Sequence, residues 1–111
     1  SDLEPFYFTN GQAVGGKSNY QRLCAECHGN DLEGSGAPAL SGATFSGRID
    51  APLIDLFDFV QQQMPAGAGG TMTNAQTATI IAYIGKFNGM TEGDKAMPIE
   101  PEEMGDIRFG Q

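Results

Sequence analysis

Two cysteines three residues apart, with a histidine directly after the second, restrict this chain more than any other stretch: Cys24-Ala25-Glu26-Cys27-His28. On a helix the i,i+3 spacing sets both thiols on one face, and the i,i+4 relation carries His28 to the side of Cys24. Three reactive side chains then meet within about a turn and a half. The chain has no other cysteine and no other histidine, so it lacks the roughly four Cys or His ligands of a structural zinc site. A thiol oxidoreductase would place Cys-x-x-Cys beside a strand–helix–strand pattern, and no such alternation occurs here. A plain disulfide stays open as an alternative but leaves the histidine without a role. All three residues have a use when a c-type haem is attached covalently, each thiol forming a thioether to one vinyl group and the imidazole reaching the iron from below.

A chain of 111 residues makes one domain, and its own core is modest, so a large flat apolar cofactor would add buried surface that the polypeptide lacks. With 40% hydrophobic residues and 16 glycines, the composition is that of a globular chain rich in loops. No run of about 18 apolar residues is present to span a bilayer, and no basic-then-apolar start, so neither membrane insertion nor a signal peptide is expected within this sequence. Haem is attached to such motifs outside the cytoplasm, which predicts a periplasmic or extracellular protein whose targeting segment was removed or lies elsewhere. The net charge of -8 argues against nucleic acid and anionic membranes as partners and predicts a basic partner surface.

Along the chain, residues 1–15 read as an N-terminal arm in which Phe6, Tyr7 and Phe8, behind Pro5, are expected to pack onto the domain, with a cut linker from a larger protein as the alternative. A first helix is expected over 17–28, with Tyr20, Leu23, Cys24 and Cys27 at i, i+3, i+4 and i+7. Residues 29–47 are turn-rich, with Gly34, Gly36, Pro38 and Gly42. Asp50 as cap and Pro52 in the first turn open a middle helix over 51–64. Its face of Leu53, Leu56, Phe57, Val60 and Met64 ends at Pro65, which biases Met64 out of the helical region. Thr73-Asn74-Ala75-Gln76 has capping-box form and starts a last helix over 74–88, lined by Ile80, Tyr83, Ile84 and Phe87 and stopped by Asn88-Gly89. Residues 90–111 carry six acids against two bases, a net of -4 and half the charge of the whole chain. Such a tail is read first as a solvated face, with an interaction role as the alternative.

The attachment motif, the glycine and proline loop, Met64-Pro65 and a final helix containing Ala82-Tyr83-Ile84 together resemble the class I c-type cytochrome family over residues 16–89. Within the family the chain is most similar to single-haem domains that serve, or are fused to, quinoprotein dehydrogenases and related secreted oxidoreductases. The resemblance implies an all-α fold of three main helices and loops around one covalent haem c. Carried onto this sequence, it implies Cys24 and Cys27 as thioether residues, His28 as proximal ligand and Met64 as the sixth ligand. It also implies Pro38 as the loop residue whose carbonyl accepts the His28 Nδ1–H, Tyr20 with Tyr83 or Phe87 at the helix crossing, and Arg48 and Tyr83 at the haem's propionates. Methionine on an apolar stripe usually packs. Here Pro65 and the glycines beyond it single out Met64, with Met72 the main rival and Met90, Met97 and Met104 minor ones. With both axial positions filled, the iron would exchange electrons without binding substrate, which predicts an electron carrier and no enzyme. Its partners would be redox proteins: a quinoprotein dehydrogenase, another secreted oxidoreductase or a terminal oxidase. The alternative is a haem enzyme or gas-binding sensor with an open or labile sixth position.

Overall fold

The computed structural model describes residues 2–111; Ser1, the first residue of the arm, lies outside the described residues. The first helix, α1 (Asn10–Leu23), begins seven residues before the expected start at 17. Its cap is Thr9, whose Oγ1 accepts the Gln12 N–H at 3.2 Å while Gln12 Oε1 accepts the Thr9 N–H at 3.1 Å, a capping box. Gly15 and Gly16 therefore sit inside the helix, at a cost of roughly 1 kcal/mol each relative to alanine. Gly16 has a positive reason to be there. A Cβ at this position would overlap the carbonyl oxygen of Thr79, so glycine is what lets α1 approach the last helix so closely.

The expected single helix through residue 28 is two pieces. Cys24 leaves helical angles (φ -124°, ψ -31°) and α2 (Ala25–His28) follows. Hydrogen bonds still cross the joint, from Cys24 N–H to Tyr20 O at 2.8 Å and from His28 N–H to Cys24 O at 3.0 Å. Gly29, at φ 91°, ends the turn. The helices α3 (Leu53–Gln63) and α4 (Asn74–Phe87) fall close to the expected spans. Met64 is extended (φ -116°, ψ 151°), as a residue before proline should be. Thr73 and Gln76 form the expected capping box. Asp50 does not cap α3: Pro52 holds the cap position without a side-chain bond, and the Asp50 carboxylate lies 3.5 Å from Arg108. Short 3-10 turns at Ala43–Arg48 and Pro101–Glu103 complete the elements. Among the described residues the only β pairing is two isolated bridges, so the chain is all-α as expected.

The core is centred on α4, whose Ala78, Ile81 and Ala82 are fully buried. It crosses α1, with the Tyr20 and Tyr83 rings 5.5 Å apart. Phe87, expected on the inner face, is instead 42% exposed.

The acidic tail is not a free, solvated run. Its last residues lie between the arm and the chain entering α3. On one side Glu4 N–H reaches Asp106 O at 2.7 Å and Phe6 N–H reaches Gly110 O at 2.9 Å. On the other, Leu53 N–H reaches Ile107 O at 2.9 Å and Phe109 N–H reaches Ala51 O at 2.8 Å. Phe6, Phe8 and Phe109 are buried together, with ring centroids 5.0 and 5.4 Å apart. The arm aromatics thus pack as expected, and they pack against the tail. Met97, Met104, Ile107 and Phe109 point inward while Glu92, Asp94, Glu100, Glu102, Glu103 and Asp106 stay exposed. The Cα radius of gyration of 12.6 Å is that of a compact domain of this length, about 13 Å.

Phe109→Ala should therefore destabilise the protein by roughly 3–5 kcal/mol, the usual cost of emptying an aromatic core site. Glu103→Gln on the same segment should stay within about 0.5 kcal/mol. Denaturant unfolding checks both; an unmoved midpoint for Phe109→Ala would mean that the tail is no part of the cooperative fold.

Candidate cofactor cavity

Helices α2, α3 and α4 and the 36–48 loop enclose a cavity of about 920 Å³, at the upper end of the roughly 300–1,000 Å³ of small-molecule sites. Cys24, Cys27 and His28 line one wall, Met64 and Pro65 another, and Ile80 and Ile84 of α4 contribute apolar surface. Cys24 is half-buried, Cys27 is exposed, and the two sulfurs are not bonded to each other. Burial, and secondarily the neighbouring Cys27, pushes the Cys24 thiol up to about 11.

His28 is buried, and its Nδ1 lies 2.7 Å from the carbonyl oxygen of Pro38. A carbonyl only accepts, so Nδ1 carries the proton and Nε2 keeps its lone pair for a metal. The loop that delivers this carbonyl is itself tied to α2, by Ala37 N–H to Cys27 O at 2.8 Å and Gly34 N–H to His28 O at 2.7 Å. Beneath it the fully buried Tyr20 donates its hydroxyl to Gly29 O at 2.7 Å. Burial first, then the nearby Cys24, raises this phenol far above its ordinary range.

Of the residues singled out in the sequence, Cys24, Cys27, His28, Pro38, Arg48 and Met64 all line the cavity. Tyr83 does not. Its ring is committed to Tyr20 and, at 6.2 Å, to Phe87. Met72, the rival of Met64, is also absent from the lining and is buried in the core. Met90, Met97 and Met104 are buried away from the cavity as well. Sequence reasoning missed Phe45 and Phe59. Both line the cavity, and the Arg48 guanidinium carbon sits 5.1 Å from the Phe59 ring centroid. Phe59 lies at i+3 from Leu56 on α3, a spacing that could have placed it.

Two thiols, an imidazole nitrogen with a free lone pair and a thioether, gathered on one mainly apolar cavity, fit a covalently attached haem. The family model described as cytochrome C oxidase, cbb3-type, subunit III, matches residues 11–84. That stretch is about two thirds of the chain and holds the whole motif together with Met64. Among solved structures the chain is similar to the sulfane dehydrogenase SoxCD from Paracoccus pantotrophus, with a TM-score of 0.66 and 23% identity. The alignment covers 96% of this chain and 60% of that one. No curated protein matches.

The Tyr20 phenol supplies a prediction on stability. Its folded value is raised, so its contribution is complete below the unfolded value of about 10 and is lost as pH rises towards the folded one. Unfolding free energy should fall above pH ~10. Tyr20→Phe should cost about 1–3 kcal/mol at neutral pH, since Gly29 O loses its buried donor, and should make the alkaline slope shallower. Tyr83, raised by the same burial effect, would keep some slope. Denaturant titrations at pH 7 and at alkaline pH check the sign.

Proposed function

The chain belongs to the cytochrome c family described by the cbb3-type oxidase subunit III model, with the class I cytochrome c fold. From that premise we propose that residues 1–111 form a single haem c domain that carries single electrons between redox proteins, held by Cys24, Cys27, His28 and Met64. Haem-based electron transfer follows from the family; the ligands, attachment points and partners are our reading. The observation that carries it is the His28 Nδ1–H bond to Pro38 O on the same cavity that both cysteines and Met64 line.

The haem, when bound, supplies the one-electron couple of its iron. The chain's part is to bind it and tune it. Cys24 and Cys27 would hold the haem covalently through their sulfurs. His28 offers Nε2 on one side, made more basic by the bond at Nδ1. Met64 offers a soft thioether, which favours the reduced state, and the apolar lining disfavours the additional charge of the oxidised one. Arg48 is the cationic side chain of the lining and is suited to the propionates. Cys27 and Phe59 are exposed at the cavity's rim, where a partner's redox centre could come close. His28 is the only histidine, so the chain has no second imidazole for acid–base work on a bound peroxide, which supports a carrier and not an enzyme.

A terminal oxidase, a quinoprotein dehydrogenase or another oxidoreductase fits as partner. The names attached to the two comparisons, an oxidase subunit and a dehydrogenase, support that class. We place the protein in the periplasm or outside the cell, where such haems are attached; no helix among the described residues is long and apolar enough to cross a membrane.

Met64→Ala should open the sixth position, lower the potential and let carbon monoxide or cyanide bind readily. Met72→Ala should leave the absorption spectrum almost unchanged while costing about 2–5 kcal/mol of stability as a core truncation. Exchanged outcomes would make Met72 the ligand. The charge of -8 predicts that electron exchange with a basic partner slows as salt rises and the Debye length shortens to about 8 Å. Glu102→Gln with Glu103→Gln should flatten that dependence in stopped-flow rates without altering the spectrum; an unchanged slope would remove the tail from the encounter.

A further inference from the structure

Met64 stands between the end of α3 and an exposed loop containing Gly67, Gly69 and Gly70, a sequence with little conformational preference of its own. The loop nevertheless doubles back tightly, because a Cβ at Gly69 would overlap the carbonyl of Gln62. One residue closes it. Gln61, in the last turn of α3, accepts the Gly70 N–H on its main-chain oxygen at 2.9 Å. Its Nε2 donates to Met72 O at 2.7 Å, and its Oε1 accepts from the Thr77 hydroxyl on α4. Thr77 is fully buried and Met72 is 5% exposed, so water is poorly placed to replace either bond. Its neighbours Gln62 and Gln63 are exposed; of the three glutamines, Gln61 is the one that joins the end of α3 to α4 and to the far end of the loop at Gly70 and Met72.

We propose that Gln61 is the positioning residue for the sixth ligand: by fastening the loop after Met64 to α4, it keeps the thioether at the cavity and sets how often that side opens. The proposal rests on the reading of Met64 as a ligand. It does not require Gln61 to touch the haem, and Gln61 is not among the residues lining the cavity. When the side-chain bonds are lost, the loop is left with the Gly70 bond and the burial of the Met72 side chain, and the Met72 carbonyl is short of a partner in the closed form only. The open form, in which water reaches these groups, then gains population.

The test is the rate of carbon monoxide binding to the reduced, haem-loaded protein, read beside the unfolding midpoint. Gln61→Ala should raise the rate roughly ten-fold, the shift in closed-to-open ratio that two modest hydrogen bonds support. Gln61→Met keeps the volume and removes the bonds, so it should speed binding similarly and serves if the alanine variant folds poorly. Gln12→Ala is the control. Gln12 bonds Met97 through both its Oε1 and Nε2, at 2.9 and 3.2 Å, and neither residue lines the cavity, so its loss should lower the midpoint and leave the rate alone. Met64→Ala separates the two readings. If it fails to speed binding, Met64 is not the ligand and both fall. If it speeds binding while both Gln61 variants bind at the parent rate, the inference alone is overturned. A Gln12→Ala rate as high as that of Gln61→Ala would also overturn it, by showing general loosening.

Discussion

An imidazole can serve a metal through Nε2 only if something fixes Nδ1 as the protonated nitrogen, and in this chain that is the 2.7 Å bond to the Pro38 carbonyl. The bond makes demands on both sides. Pro38 must lie beside α2, which the Ala37 and Gly34 amides secure by bonding the carbonyls of Cys27 and His28. The α2 turn must be held from beneath, and Tyr20 does so through Gly29 O. Tyr20 in turn is fixed by the crossing of α1 with α4, which Gly16 permits. The chemistry of one ring nitrogen thus reaches back, contact by contact, to a helix crossing and a missing side chain.

The opposite wall is built by other means. Met64 leaves α3 in an extended conformation that Pro65 enforces, and its loop returns onto Gln61. The two walls share α4, which gives Ile80 and Ile84 to the cavity and the Thr77 hydroxyl to Gln61 of α3. A chain with so much loop needs its ends secured, and here each end secures the other. The arm and the tail share backbone bonds and an aromatic cluster of Phe6, Phe8 and Phe109. Acidic side chains remain on the outside of this clasp, so stability and surface charge come from alternate residues of one segment.

Much of this was legible because it was local. The motif, the ends of α3 and α4, and the Thr73 capping box are each encoded within a few residues. Thr9 and Gln12 carry the same capping signature as Thr73 and Gln76, but the Gly15-Gly16 pair reads locally as a helix breaker and pushes the expected start to 17. The role of Gly16 depends on Thr79, 63 residues further on, at a crossing no local pattern reveals. The tail misled for a related reason. Met97, Met104, Ile107 and Phe109 are spaced by seven, three and two residues, with Pro98 and Pro101 interrupting the run, so no single period marks them and their burial shows only once the arm is in place. Tyr83 meets Tyr20 at the helix crossing, one of the two places the resemblance implies for it, and is absent from the cavity lining. No local pattern separates Gln61 from Gln62 and Gln63, since its partners come from the loop and from α4.

The central claim is that one haem lies between His28 and Met64. Proton NMR of the reduced protein, with the methionine methyls labelled, tests it most directly, because a methyl on an axial thioether lies over the ring and is shifted far upfield. One of the five methionines, Met64, should show that shift while the other four stay in the ordinary range. An upfield methyl assigned to Met72, or no such methyl in the haem-loaded protein, would contradict the account.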